Sequence, residues 1–402
     1  MKNNKLKQIL FVIFMIAIFL RLSAVFSQKE SERMPQIDAI GYDEMAVNLA
    51  SGNGFSLFVN GSYVPVAYRT PVYPLFLAGI YSIFGHSYIV VKIIQAVIGA
   101  LFCILIFLIV NAIYNNVIAG LIASLCIALY KPFISGFSYY GGPALLLSEY
   151  LFMFMVGLTI LTTAYFIKNE DKRVGMLAGI FTGLTILTRS EFVIFTILLV
   201  IYLLYIAHFS VVTFFKKYFI IYLFIMLTMS PWIVRNYIVY KEFIPLSTTG
   251  GAIFWLGNNS LANGGQSDAD SIPVMKNFLN NQESKELFKI GIKELRSNPR
   301  RVPRLFIRKI LVHWAPFENG FKKFNPFYAF ALFFGSIGIL FFRNKVILEK
   351  ILLIILLSTT LTAIVTFGEP RYRYPYEPYL IIFAALAFSG IIRKIYRMQR
   401  DN

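Results

Sequence analysis

Charged side chains are scarce in this sequence, so the few that gather beside prolines and aromatics mark where chemistry is possible. Lys, Arg, Asp and Glu make up 14% of 402 residues, against 57% hydrophobic. The first gathering is Asp38-Ala-Ile-Gly-Tyr42-Asp43-Glu44-Met-Ala46-Val-Asn-Leu49, followed by Gly52 and Gly54. Asp38, Tyr42, Ala46 and Leu49 are spaced to share one helix face. That face carries a carboxylate beside a small apolar stripe, while Asp43 and Glu44 step round to the other side. Gly52 and Gly54 are expected to end the helix in a turn. The ordinary alternative for Asp38 is a helix N-cap.

The second gathering is Tyr68-Arg69-Thr70-Pro71-Val-Tyr73-Pro74. Two prolines three apart hold the chain extended and then start a helix, which fixes Arg69 at the mouth of an apolar segment. A guanidinium held at a lipid surface suits a phosphate, to which it donates two parallel hydrogen bonds; otherwise it is an interfacial anchor. Pro231-Trp232-Ile-Val-Arg235-Asn236 closes another apolar run, and Ser247 to Gly251 with Gly257-Asn258-Asn259 reads as loop and turn beyond it. The last gathering, Glu369-Pro-Arg371-Tyr372-Arg373-Tyr374-Pro375, lies in a tight connection between two apolar runs. Glu149, and Arg189 with Glu191, stand at the ends of runs, where charges commonly snorkel to the interface.

The elements that position these residues are membrane helices. A chain with so little charge is neither an ordinary soluble protein nor a disordered one. Apolar runs fall at 9–26, 88–112, 117–135, 145–167, 174–188, 191–209, 218–236, 326–342, 351–367 and 377–392, giving about ten spans. The first lacks a small-residue cleavage region and reads as an uncleaved helix. With the N-terminus in the cytoplasm, Lys168, Lys172, Arg173, Lys216, Lys217, Arg343, Lys345, Lys350 and the C-terminal Arg393, Lys394, Arg397 and Arg400 all face inward, as the positive-inside rule requires. The separation of 174–188 from 191–209 matters most here, since one long broken helix would invert everything downstream.

This topology predicts a single all-α integral membrane domain over 1–402, with two long outer loops, 28–87 and 238–324, carrying interfacial helices. The stretch from Gln282 to Lys309 reads as an amphipathic helix broken by Pro299 and Pro303, suited to anionic headgroups. The net charge of +18 points to anionic membrane lipids and lipid-linked substrates rather than nucleic acid. Cys103 and Cys126 lie inside apolar runs and form neither a disulfide framework nor a metal cluster. Arg371 and Arg373 on the outer side run against the positive-inside rule, which favours a functional role. A transporter or flippase of lipid-linked sugars is the rival reading. It predicts charges lining a membrane-depth cavity with access from two sides.

In order, Asp38 with Tyr42, Arg69-Thr70-Pro71 with Tyr73-Pro74, Pro231-Trp232 with Arg235-Asn236, and Arg371-Tyr372 with Pro375 resemble the membrane glycosyltransferases of the C-type fold. The branch is the one that holds protein O-mannosyltransferases, lipid A aminoarabinose transferases and bacterial polyprenyl-phosphate-sugar-dependent transferases. The resemblance covers nearly the whole chain. It implies an inverting glycosyltransferase of the outer face of a bacterial inner membrane, moving a sugar from a polyprenyl-phosphate donor to a glycan or lipid acceptor. It also implies Asp38 as catalytic base or acceptor-orienting residue, Tyr42, Asp43, Glu44 and Glu149 as positioning residues, and Arg69, Arg235, Arg371 and Tyr372 at the donor phosphate. The family's paired Asp-Glu is Asp38-Ala39 here. Any metal is therefore expected to be a hard divalent cation such as Mg or Mn, held by oxygens of Asp38, Asp43 or Glu44. No appended soluble domain is expected, and that expectation favours a glycan or lipid over a protein acceptor.

Overall fold

The computed structural model describes residues 3–29, 34–135, 142–265, 281–318, 322–342 and 347–401. Parts of both expected outer loops and the basic loop around Arg343 and Lys345 lie outside them. Each apolar run forms a helix. The chain begins with α1 (Asn3–Phe26), α2 (Asp38–Ala50) and a hairpin of β1 (Ser56–Val59) on β2 (Ser62–Pro65). Then come α3 (Val72–Phe84), α4 (Tyr88–Tyr114), α5 (Val117–Leu129), α6 (Pro132–Ser135), α7 (Glu149–Asn169) and α8 (Lys172–Thr188). A 3-10 turn at Ser190–Phe192 leads to α9 (Val193–Ile206), α10 (Val211–Tyr240), α11 (Gly250–Asn258), α12 (Asn281–Ser297) and α13 (Val302–Trp314). A second hairpin, β3 (Phe317–Glu318) on β4 (Lys323–Phe324), precedes α14 (Pro326–Ile337), α15 (Glu349–Val365), the single turn α16 (Pro370–Arg373) and α17 (Glu377–Asp401).

This is a multi-pass membrane protein. Among the described residues, five helical segments are long and apolar enough to cross a bilayer: Asn4–Phe26, Tyr88–Tyr114, Glu149–Asn169, Val211–Tyr240 and Pro370–Arg393. Four apolar helices are shorter: Val72–Phe84, Val117–Leu129, Ser190–Ile206 and Pro326–Phe341. The five long segments fall short of the ten spans expected, because several runs terminate in polar or broken backbone before reaching bilayer length. The break that decides topology is present: α8 ends at Thr188, and Arg189 is extended, with φ −146° and ψ 118°.

The bundle packs α4 against α1, α5 and α7, and α8 between α7 and α10. Gly175, Gly179 and Gly183 recur every fourth residue on α8. A Cβ on Gly179 would collide with the Ile221 carbonyl, and one on Gly183 would press on Thr228. Small residues at this spacing let two helix backbones approach where lipid supplies no hydrophobic drive for association. On the other face of α8, the buried Thr185 and Thr159 hydroxyls meet at 3.1 Å.

The motif that closes α10 ties the bundle to its polar end. The Trp232 indole donates to the Leu246 carbonyl at 2.7 Å, and the Asn236 amide to the Ile244 carbonyl at 2.9 Å. Arg235 donates to the Val66 and Phe55 carbonyls, both at 2.8 Å. These bonds dock residues 244–246 and the β1–β2 hairpin on the end of α10. The expected turn at Gly257-Asn258 is instead the last turn of α11. There Asn258 donates to the Val365 carbonyl at 2.9 Å, and Gly257 is needed because a Cβ would strike Thr366.

Candidate active site

Four segments far apart in the sequence bring charged side chains to one cavity of about 280 Å³. The first turn of α2 supplies Asp38. The Ile37 position that precedes it makes no side-chain cap, so the N-cap expectation for Asp38 is replaced by a different role: its carboxylate faces arginines. Arg69, in the bend before α3, donates to Oδ1 at 2.6 Å, and Arg371, on α16, donates to Oδ2 at 2.6 Å. Arg371 is shared, because its Nε also donates to Glu149 Oε1 at 2.6 Å. Glu149 is 1% exposed. It takes Arg189 at 3.1 Å, and Arg189 in turn meets Glu191 at 2.5 Å. Cations and anions thus alternate in one chain: Arg69, Asp38, Arg371, Glu149, Arg189, Glu191.

Burial raises the Asp38 pKa, but Arg69 and Arg371 outweigh it and hold the carboxyl below the usual carboxylate value. Burial alone would weaken the Arg69 cation; Tyr42 and Asp38 oppose it, and the guanidinium stays charged. The Arg69 guanidinium lies 5.2 Å from the Tyr42 ring and 5.5 Å from the Tyr68 ring, within cation–π range. Gly41 leaves room for this packing, since a Cβ there would collide with the Tyr68 hydroxyl.

Asp38, Tyr42, Arg69, Arg371 and Tyr372 all line the cavity, with Glu149 immediately behind Arg371. Arg189 lines it too, although its sequence setting at the end of an apolar run gave only a snorkelling charge. The signal that could have found it is the pair Arg189 and Glu191 at a helix break.

Three of the expected residues stand apart. The Asp43 carboxylate accepts from Tyr81 at 2.6 Å and Tyr88 at 2.9 Å, and contacts His86 at 2.9 Å. Glu44 accepts the Phe58 N–H at 2.8 Å and so anchors the β1–β2 hairpin to α2. Arg235 spends its guanidinium on backbone carbonyls, as described above, and does not line the cavity. The same contacts bear on a metal, if one is held. Asp43 and Glu44 point away from Asp38, both Asp38 oxygens are taken by guanidinium, and no group of three His, Cys, Asp or Glu converges among the described residues. This donor set does not fit a divalent cation.

The fold is shared with known enzymes. A family model described as dolichyl-phosphate-mannose-protein mannosyltransferase matches residues 68–234. The oligosaccharyltransferase of Archaeoglobus fulgidus in its apo form aligns over 100% of this chain at 16% identity, with a TM-score of 0.64. This chain has the C-type glycosyltransferase fold. The fold implied by the resemblance is borne out. The archaeal enzyme AglB in complex with an inhibitory peptide and a dolichol-phosphate aligns over 100% of this chain at 15% identity, with a TM-score of 0.57. The C-type chain described here covers 52% of each of these two proteins, about half their length. ArnT from Cupriavidus metallidurans, bound to undecaprenyl phosphate, aligns over 95% of this chain and 76% of its own at 12% identity, with a TM-score of 0.44. No curated protein matches by sequence.

Proposed function

We propose that this protein is an inverting glycosyltransferase that takes a sugar from a polyprenyl-phosphate donor and passes it to a glycan or lipid acceptor. The observation that carries the reading is the Asp38 carboxylate clamped between two guanidiniums in a cavity of a C-type fold. A transporter would spread such charges along a path; here Asp38, Arg69 and Arg371 converge.

In this reading Asp38 accepts the proton of the acceptor hydroxyl as that oxygen attacks the anomeric carbon from the face opposite the phosphate. The bond from the anomeric carbon to the phosphate oxygen breaks, and its electron pair leaves with the lipid phosphate. Arg69 and Arg371 neutralise the charge that gathers there. Glu149 orients Arg371 and keeps it from closing wholly on Asp38. The resting ion pairs are the donor's competitors: a phosphate drawn to the two arginines loosens them from Asp38 and frees a carboxylate oxygen for the acceptor. Donor binding therefore prepares the base.

In the membrane we place the ten apolar runs of the sequence as spans, with the shorter helix α3 beside α2 in the first outer loop, both termini in the cytoplasm, and the cavity with the loops 28–87 and 238–324 on the outer face of a bacterial inner membrane. The test is release of polyprenyl phosphate by purified protein incubated with a panel of synthetic lipid-phosphate sugars and glycan acceptors. No release from any member of the panel, with the protein folded, rejects the proposal.

A further inference from the structure

A second cavity, of about 320 Å³, opens between α11 and α12 and shares Ser247 and Gly250 with the first. Its wall is of a different kind. Besides hydroxyls such as Ser284 it carries the ammonium groups of Lys285 and Lys289 and the ring of Phe288, which is 45% exposed, and none of its lining residues is acidic. Lys285 reaches Glu242 at 2.7 Å, at the rim. Lys289 has no carboxylate partner among the described residues. The same face of α12 continues outward with Lys293 and Arg296, both exposed, at the four- and three-residue steps that align side chains on a helix. The volume is at the low end for small-molecule sites, and the polar wall does not suit a prenyl chain.

We propose that this second cavity seats the acceptor, and that the acceptor is a saccharide carrying a phosphate or carboxylate group near the hydroxyl that is glycosylated. Hydroxyls and a half-open aromatic face suit a sugar ring, while the Lys289 ammonium, with the Lys285 ammonium that Glu242 shares beside it, suits an anion on it. Because the two cavities share a wall at Ser247 and Gly250, a sugar held here can direct a hydroxyl toward Asp38 while the donor occupies the arginine side. The proposal rests on the transferase reading, yet its test does not need turnover.

Full-length protein in neutral phosphatidylcholine nanodiscs would be titrated with three fluorescent probes: tetragalacturonate, 6-phosphorylated mannotetraose and neutral mannotetraose. At least one anionic probe should bind, weakening as salt rises, and the neutral probe should bind about tenfold more weakly or less, the equivalent of one charged hydrogen bond. Which anionic probe binds decides between carboxylate and phosphate. Lys285→Gln with Lys289→Gln should lose about tenfold in that affinity while binding of undecaprenyl phosphate stays unchanged. Equal binding of neutral and anionic probes, or full binding by the double variant, overturns the proposal. So does an equal loss of undecaprenyl phosphate binding, which would merge the two cavities. Abolition of probe binding in discs containing phosphatidylglycerol also overturns it, since the lysines would then serve the lipid surface. If the transferase reading alone fails, the probe still binds without any release of polyprenyl phosphate.

Discussion

Asp38→Asn should move two measurements in opposite directions. Both carboxylate oxygens are engaged at 2.6 Å, by Arg69 and by Arg371. At that separation and an effective dielectric of about 20, unit charges attract by roughly 6 kcal/mol. Desolvation consumes most of this, leaving about 1.5–3 kcal/mol net for a hydrogen bond to a charged group. The Asp38 and Arg371 side chains are each 25% exposed, so solvent screening keeps the figure at the lower end. A donor phosphate displaces these bonds in the wild type, whereas Asn offers the arginines no charge. Undecaprenyl phosphate should therefore bind the variant about tenfold more tightly, which corresponds to about 1.4 kcal/mol. Turnover should fall by about 10²–10⁴, the usual contribution of a positioned base. The assay pairs titration of the lipid phosphate, in detergent, with release of polyprenyl phosphate from a lipid-phosphate sugar. Unchanged or weaker lipid binding would show that Asp38 does not compete with the phosphate. Turnover within a few-fold of wild type would remove Asp38 from proton transfer.

Arg371→Lys should cost about tenfold or more in donor affinity, because an ammonium held by Glu149 cannot also present the planar fork that a guanidinium anchored through Nε offers a phosphate; unchanged affinity and thermal midpoint would refute the shared-guanidinium account. The depressed Asp38 pKa fixes a sign: the base remains ionised as pH falls through the usual carboxylate range, so the acid limb of kcat/KM should lie below that range. An acid limb above pH 5 that vanished in Asp38→Asn residual activity would contradict it. Gly179→Val forces α8 off the Ile221 carbonyl and should destabilise by about 1–3 kcal/mol, as overpacking does. A thermal midpoint equal to that of wild type would show that the glycine stripe is not a contact seam.

The apolar runs were legible because hydrophobicity integrates over a whole helix, and so was the break at Arg189, where two charges interrupt it. Arg69 and Arg371 were legible for a different reason: cations beside proline in connections expected to face outward are out of place. Asp38 was singled out as a charge of interest, and it lies in the cavity, but its neighbours could not be ranked. Asp43 and Glu44 look as catalytic as Asp38 in the sequence, and only the tyrosines around Asp43 and the Phe58 N–H beside Glu44 assign them to structure. Arg235 was opaque in the same way, since its partners are backbone carbonyls roughly 170–180 positions away. The hairpins escaped notice because strands of two or four residues carry too little periodic pattern.

Arg371 joins carboxylates at positions 38 and 149 from near the far end of the chain. Synthesis runs from the N-terminus, so Asp38 and Glu149 leave the ribosome long before the residue that neutralises them both. Until the segment carrying Arg371 arrives, the bundle holds the buried Glu149 carboxylate with only Arg189 to balance it among the described residues, a state that resists tight closure. Arrival of Arg371 then acts as a latch, closing the polar end of the bundle and completing the cavity in one event. A nascent chain arrested before that point is expected to be loosely packed as well as inactive, and so open to membrane quality-control proteases.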